Sequence, residues 1–239
     1  MDDNLKQIIL DHVAAEFPRE ACGLIVDVAG QPTYFPCRND AVGTDQFILN
    51  PKDYLAAEQA GTIISVVHSH PNGSPQPSQA DLVSCEASGL PWHIVNYPDP
   101  EWIYFEPSGY EAPLIGRVWS HGVLDCYTII RDWYKINRGI TLPDFERHDE
   151  WWQQEGNNLY VDNFQSAGFV RVEDGSLQAG DVLLMQIRSK VPNHGVIYLG
   201  DDIILHHLHN RLSCREIFGG YYKKHCVMVL RYAETENNP

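Results

Sequence analysis

The stretch TIISVVHSHPNGSPQPSQADL, residues 62–82, decides how the first half of the chain folds. Its opening residues are β-branched and almost wholly apolar, the composition of a strand buried on both faces. The strand ends in His68, Ser69 and His70, a Pro/Gly-rich turn follows, and Ser78 opens a helix that Gly89 ends. Side chains at i and i+2 of a strand point the same way, so both imidazoles can reach one ion. Asp81, delivered by the next helix, completes three ligands. Two histidines and a carboxylate leave a tetrahedral zinc ion with an open fourth position, the arrangement of a catalytic rather than a structural site. Such an ion acidifies its bound water and calls for a general base. Glu20, in PREACGLIV at the entrance to the first strand, is the candidate, with Glu16 further off in the preceding helix. Ser78 is placed to donate a hydrogen bond to a developing oxyanion.

Outward from that stretch, helices and strands mix. Leu5, Ile8, Ile9, Val13 and Phe17 share a helical face, and the pattern stops at Pro18. CGLIVDV and TYFPC flank a turn around Gly30 to Pro32 and read as a hairpin. A second helix starts at Pro51 and runs to Gly61, while PWHIVNY and EWIYFEP supply strands after Gly89. EPSGYEAPLIGR, from Glu106 to Arg117, has two prolines, two glycines and no period, the composition of a linker. Beyond it, CYTIIRDWYKIN reads as a helix ending at Gly139, and DFERHDEWWQQE also reads as helical. GDVLLMQI, HGVIYLG, IILHHL and VMVLRY then read as strands. Helices first and strands after make an α+β half. The expected organisation is a domain over residues 1–106, a linker over 107–117 and a second domain over 118–239.

The 239 residues carry 32 acidic and 17 basic side chains, a net charge of −15, and 44% are hydrophobic. That is enough chain for one large core or two small ones. The acidity argues against nucleic acid, whose binding draws on Lys and Arg against phosphate. It is concentrated in the first half, where residues 1–110 hold 4 basic and 15 acidic side chains. No stretch reaches the roughly 20 apolar residues of a membrane span, so no membrane insertion is expected. MDDNLKQIIL lacks the basic and apolar regions of a signal peptide. The expected setting is a cytoplasm, where Cys22, Cys37, Cys85, Cys126, Cys214 and Cys226, without CxxC spacing, stay free thiols.

Cys126 stands apart from the other five. Asp125 is an N-cap candidate for the helix DCYTIIRDWY, and a cysteine in a first helical turn feels the positive end of the dipole, which favours thiolate. A nucleophilic thiolate needs a histidine to take and return a proton and a third group to orient that histidine. His194 opens HGVIYLG and His206 lies 12 residues later in IILHHL, so adjacent antiparallel strands bring them side by side. His207 and His209 compete for the third role, although strand alternation turns His207 to the opposite face. His225-Cys226 and the HHLH run match no metal-ligand spacing, and Trp151-Trp152 reads either as a sugar-stacking surface or as core.

Glu20 followed by H-x-H-x7-S-x-x-D, met by His68, His70, Ser78 and Asp81 without a gap, resembles the JAMM/MPN zinc metalloprotease family. The resemblance spans residues 1 to about 106 and implies a cytidine-deaminase-like α/β domain. It also implies Zn2+ held by His68, His70 and Asp81, and cleavage of isopeptide or peptide bonds. DC at a helix start, LQAGDVLLM and HGVIYLGDDIILHH resemble the NlpC/P60 family of papain-like cysteine peptidases, which show DCSG, L-x-x-G-D-L and HVGIYLG. This implies a papain-like α+β domain with Cys126 as nucleophile, His194 as base and His206 as the orienting residue. Tyr127-Thr128 stands where that family has Ser-Gly, and Gly195-Val196 inverts its Val-Gly. The ordered pair of domains is similar to the tail-tip assembly proteins of long-tailed phages. That likeness implies other phage tail-tip proteins as partners, and a peptidoglycan stem peptide or a phage tail protein as substrate. It further implies residence in the host cytoplasm during assembly and at the virion tail tip. The alternative is an assembly factor or structural tail component with silent sites; a host wall-remodelling enzyme fits less well without an export signal.

Overall fold

The computed structural model describes residues 1–148 and 150–233 and divides the chain into two units, Met1–Glu111 and Ala112–Pro239. Asp149 and the terminal ETENNP lie outside the described residues. In the first unit Leu5, Ile9 and Val13 form the buried stripe of α1 (Asp3–Glu16), whose first turn is capped by the Asp2 side chain. β1 (Cys22–Val28) and β2 (Gln31–Cys37) make a hairpin through Ala29 and Gly30, both at positive φ, as a two-residue turn requires. α2 (Pro51–Ala60) follows, with proline in its first turn and Asn50 as its cap. β3 (Thr62–Pro71), α3 (Gln79–Ser88) and β4 (Trp92–Tyr97) form a parallel crossover, and β5 (Trp102–Phe105) returns antiparallel. The sheet order is β2-β1-β3-β4-β5.

Strand alternation divides this unit's core between two faces. Ile25, Val67 and Val95 pack with the stripe of α1. Leu24, Val26, Val66 and Trp92 pack with Ala57 of α2 and Cys85 of α3. A sheet covered on both faces explains the unbroken apolar run in β3.

The second unit contains α4 (Cys126–Arg138), α5 (Leu159–Asn163), β6 (Phe169–Arg171), β7 (Val182–Met185), β8 (His194–Gly200), β9 (Ile203–His206), β10 (Cys214–Ile217), α6 (Gly220–His225) and β11 (Cys226–Tyr232). Its strands pair antiparallel in the order β10-β9-β8-β7-β11-β6. Val182 and Leu184 of β7 meet Ile130 and Trp133 of α4. Leu183 and Met185 meet Tyr222 of α6 on the other face. No helix among the described residues is long and apolar enough to cross a membrane.

One expectation is corrected. Among its described residues, DFERHDEWWQQE forms no helix beyond a single 3-10 turn at Trp151–Gln153. Arg147 is the reason. Its guanidinium donates to Asp125 Oδ2 at 2.7 Å, to Asp144 Oδ1 at 2.8 Å and to the Phe145 carbonyl. Buried Asp125 in turn accepts the Tyr127 and Thr128 N–H groups at the start of α4. Capping a buried helix start recruits this segment as an irregular loop and overrides its local propensity. Of the two readings open for Trp151, core is the one seen: it is buried, edge-on against Tyr160. The linker-like stretch, within which the two units divide, makes hydrogen bonds on either side of that division. Ser108 and Tyr110 donate N–H groups to Glu86, while buried Arg117 donates to the Ala112 and Pro113 carbonyls. The short elements β6, β10, α5 and α6 are too brief to show a period in sequence.

Replacing Arg147 with alanine leaves the Asp125 carboxylate buried without its partner, so the second unit loses about 3–5 kcal/mol at neutral pH. Burial works to raise the Asp125 carboxyl, but the Arg147 charge and the Thr128 N–H outweigh it and hold it below its ordinary range. That contribution is present above the unfolded-state value near ~4 and lost as pH falls through the folded value. Wild type and Arg147→Ala therefore converge in acid. Urea unfolding followed by tryptophan fluorescence checks both statements, and equal midpoints at neutral pH contradict them.

Candidate functional sites

The first site forms where β3 ends. His68 and His70 leave the strand on one side, with their Nε2 atoms 3.1 Å apart. Asp81, in the first turn of α3, places Oδ1 3.2 Å from His68 Nε2 and Oδ2 3.5 Å from His70 Nε2. A tetrahedral ion with bonds of about 2.0–2.1 Å spaces its ligand atoms about 3.3 Å apart, so this donor set fits a divalent metal. His70 Nδ1 bonds the Ser74 carbonyl at 2.7 Å, which fixes the proton there and leaves the Nε2 lone pair pointing into the site. The His68 ring is held against Phe47 and Trp92, and burial keeps it neutral.

Asp81 is oriented by the helix it belongs to. Its N–H donates to Ser78 Oγ at 3.1 Å and its Oδ2 accepts the Ser78 N–H at 2.7 Å, a reciprocal capping box. The cap uses the Ser78 oxygen as an acceptor and leaves its hydroxyl proton to donate. Burial works to raise the Asp81 carboxyl, yet His68, His70 and Ser78 together hold it well below the carboxylate range. Glu20 reaches the site through β1. Cys22 pairs with His68, and Ala21 and Ser69 exchange hydrogen bonds of 2.9 Å, so the register carries Glu20 level with His70. Burial pushes the Glu20 carboxyl up to about 8 against the pull of His70. Glu20 acts electrostatically on His70, whereas Glu16, at the end of α1, acts on His12.

The second site forms where α4 meets β8. Cys126 is the first residue of the helix, and its Sγ lies 3.1 Å from the Tyr160 hydroxyl and accepts the Gly195 N–H. His194 and His206 meet across β8 and β9, with His194 Nε2 3.3 Å from His206 Nδ1. His194 therefore keeps Nδ1 as the ring nitrogen able to serve Cys126. No direct bond between Cys126 Sγ and His194 occurs among the described residues. His207 bonds the Arg211 carbonyl and His209 lies edge-on to Trp119, so neither takes the third position.

Burial works against the expected thiolate. Burial pushes the Cys126 thiol up to about 11, helped by Asp125 and opposed by Tyr160 and Gly195. From an ordinary value near 9 this is roughly 3 kcal/mol against the thiolate, more than the about 0.3–2 kcal/mol a helix terminus supplies. Burial also pushes His194 down to about 3. Burial thus favours a neutral thiol beside a neutral imidazole. Sequence reasoning missed Tyr160, whose place beside the sulfur depends on a five-residue helix without a sequence signature.

Comparison with known proteins matches both halves. Residues 2–105 match the family of prokaryotic homologs of the JAB domain, and residues 116–231 match the NlpC/P60 family. The tail tip assembly protein K of Escherichia phage N15 is 39% identical over 232 residues, covering 96% of this chain and 95% of that protein. Its counterpart in Escherichia phage lambda is 41% identical over 184 residues, covering 77% of this chain and 89% of that protein. A solved JAB1/MPN domain protein from Archaeoglobus fulgidus is 26% identical, covering 46% of this chain and 90% of its own, with a TM-score of 0.28. The chain belongs to the tail tip assembly protein K family, built as a JAB-type domain followed by an NlpC/P60 domain.

Proposed function

We propose that this tail tip assembly protein carries two hydrolytic sites, a zinc (iso)peptidase and a papain-like cysteine endopeptidase. The substrate is a peptidoglycan stem peptide or a phage tail protein. Other tail-tip proteins are its partners, in the host cytoplasm during assembly and at the tail tip. The convergence of His68, His70 and Asp81 beside a carboxyl raised towards neutrality carries this reading. When bound, zinc supplies Lewis acidity and a readily deprotonated water. Glu20 takes the water proton and returns it to the leaving nitrogen, and the Ser78 hydroxyl donates to the oxyanion. In the second unit His194 Nδ1 takes the thiol proton as Cys126 Sγ attacks the carbonyl carbon. His206 Nδ1 accepts the His194 Nε2–H and so holds the base in the tautomer this step requires.

One observation favours a second reading, an assembly factor with a silent cysteine site: the thiol is deeply buried and bonded to Tyr160 rather than to His194. Cleavage of purified muropeptides separates the two. Cutting that persists in chelator and is lost in Cys126→Ala supports the peptidase, while no cutting by the metal-free protein supports the assembly factor.

Two further outcomes are expected. Asp81→Asn holds one zinc fewer per chain than the unsubstituted protein, whereas Glu20→Gln holds the same amount; equal metal in all three contradicts the ligand assignment. Alkylation of Cys126 by iodoacetamide accelerates with pH through neutrality towards about 11, without levelling off. A plateau near neutral pH marks a preformed thiolate and overturns the neutral-pair account.

A further inference from the structure

The second unit contains a cluster that the proposed peptidase chemistry does not use. Cys214 and Glu216 stand at i and i+2 on β10, and the register sets Cys214 directly opposite His206 on β9. His206 Nε2 lies 3.7 Å from Cys214 Sγ and 3.8 Å from Glu216 Oε2, and Cys214 Sγ lies 3.8 Å from Glu216 Oε1. A tetrahedral ion with about 2.0–2.3 Å bonds to nitrogen, oxygen and sulfur spaces those atoms about 3.3–3.6 Å apart. One ligand atom from each of the three residues lies within 4.8 Å of the other two, so turning the Glu216 carboxylate and drawing the donors together closes the set. The Tyr222 hydroxyl donates to Glu216 Oε2, an outer hydrogen bond of the kind that orients a ligating carboxylate. Cys214 and Glu216 are half-buried, so the cluster is open to an incoming ion, while His206 is buried and kept neutral by burial. Arg211 is felt by the ring, and Glu216 opposes its charge.

We propose that His206, Cys214 and Glu216 bind a thiophilic divalent ion such as zinc, and that its binding switches the cysteine site off. The inference rests on the cysteine-peptidase reading. Without metal, the single Cys214 thiol proton is directed to Glu216 Oε1 and the Tyr222 proton to Glu216 Oε2. His206 Nε2 then faces only acceptors and carries the ring proton. His206 Nδ1 accepts the His194 Nε2–H, and His194 Nδ1 keeps the lone pair that removes the Cys126 proton. An ion bonded to His206 Nε2 and Cys214 Sγ releases the thiol proton to solvent and moves the His206 ring proton to Nδ1. That N–H now donates to His194 Nε2, so the His194 proton shifts to Nδ1. Each imidazole still holds one proton, but His194 presents a donor to the nucleophile and cannot act as its base.

Cobalt(II) added to the full-length protein tests this, because only a sulfur ligand gives the near-ultraviolet thiolate-to-cobalt band, and the His68/His70/Asp81 site has no sulfur. The band is expected in the unsubstituted protein and in Cys126→Ala, and is expected to vanish in Cys214→Ser. Iodoacetamide alkylation of Cys126 is expected to slow roughly tenfold or more on metal addition and not to change with metal in Cys214→Ser. Absence of the band, or its survival in Cys214→Ser, overturns the site. A band without slowed alkylation overturns the switch. Failure of the metal-free protein to cut muropeptides counts against the peptidase reading and leaves the band unaffected, so the two failures are distinguishable.

Discussion

A buried helix start exposes amides that have no partner within the helix, and each must find an acceptor. In this chain that requirement positions both candidate sites. Asp81 answers it in α3 by exchanging hydrogen bonds with Ser78, and the exchange aims its carboxylate at His68 and His70. Asp125 answers it in α4 by accepting two amides, and Arg147 neutralises the resulting buried charge. The carboxylate in α3 is itself a candidate ligand. The one in α4 holds the helix turn that presents Cys126.

Burial then divides the two sites electrostatically. It raises Glu20 from the carboxylate range towards neutrality, where a carboxyl can both take and return a proton. The same effect moves Cys126 away from neutrality and lowers His194. In the proposed chemistry the first site is therefore poised at rest, while the second would transfer its proton during attack. Under that proposal, a site that burial holds away from the thiolate depends on the tautomer of His194, whose Nε2 lies 3.3 Å from His206 Nδ1. In the proposed switch, whatever controls the far nitrogen of His206 would control the nucleophile.

Much of the first site was legible because its information is local. His68 and His70 sit at strand spacing, and Ser78 and Asp81 at capping-box spacing, so period and turn chemistry place four of the five groups. Glu20 lies far off in sequence but is carried in by register with β3. The second site was less legible. His194 and His206 follow from one antiparallel pair, but the state of Cys126 does not, because the dipole is local and the burial that outweighs it is tertiary. Arg147 was read as part of a helix because its partner Asp125 lies 22 residues away. In sequence Cys214 is one free thiol among six, and only the pairing of β9 with β10 sets it against His206.

The chain joins membership of the tail tip assembly protein K family to two sites for which hydrolysis is proposed. The most direct measurement is plaque formation by a phage lambda lacking its own tail tip assembly protein and complemented by this chain. Where the unsubstituted chain restores plaques, one carrying Asp81→Asn and Cys126→Ala together is predicted to restore none. Unchanged plaque yield from the double substitution contradicts the hydrolytic account and leaves assembly as the chain's sole role.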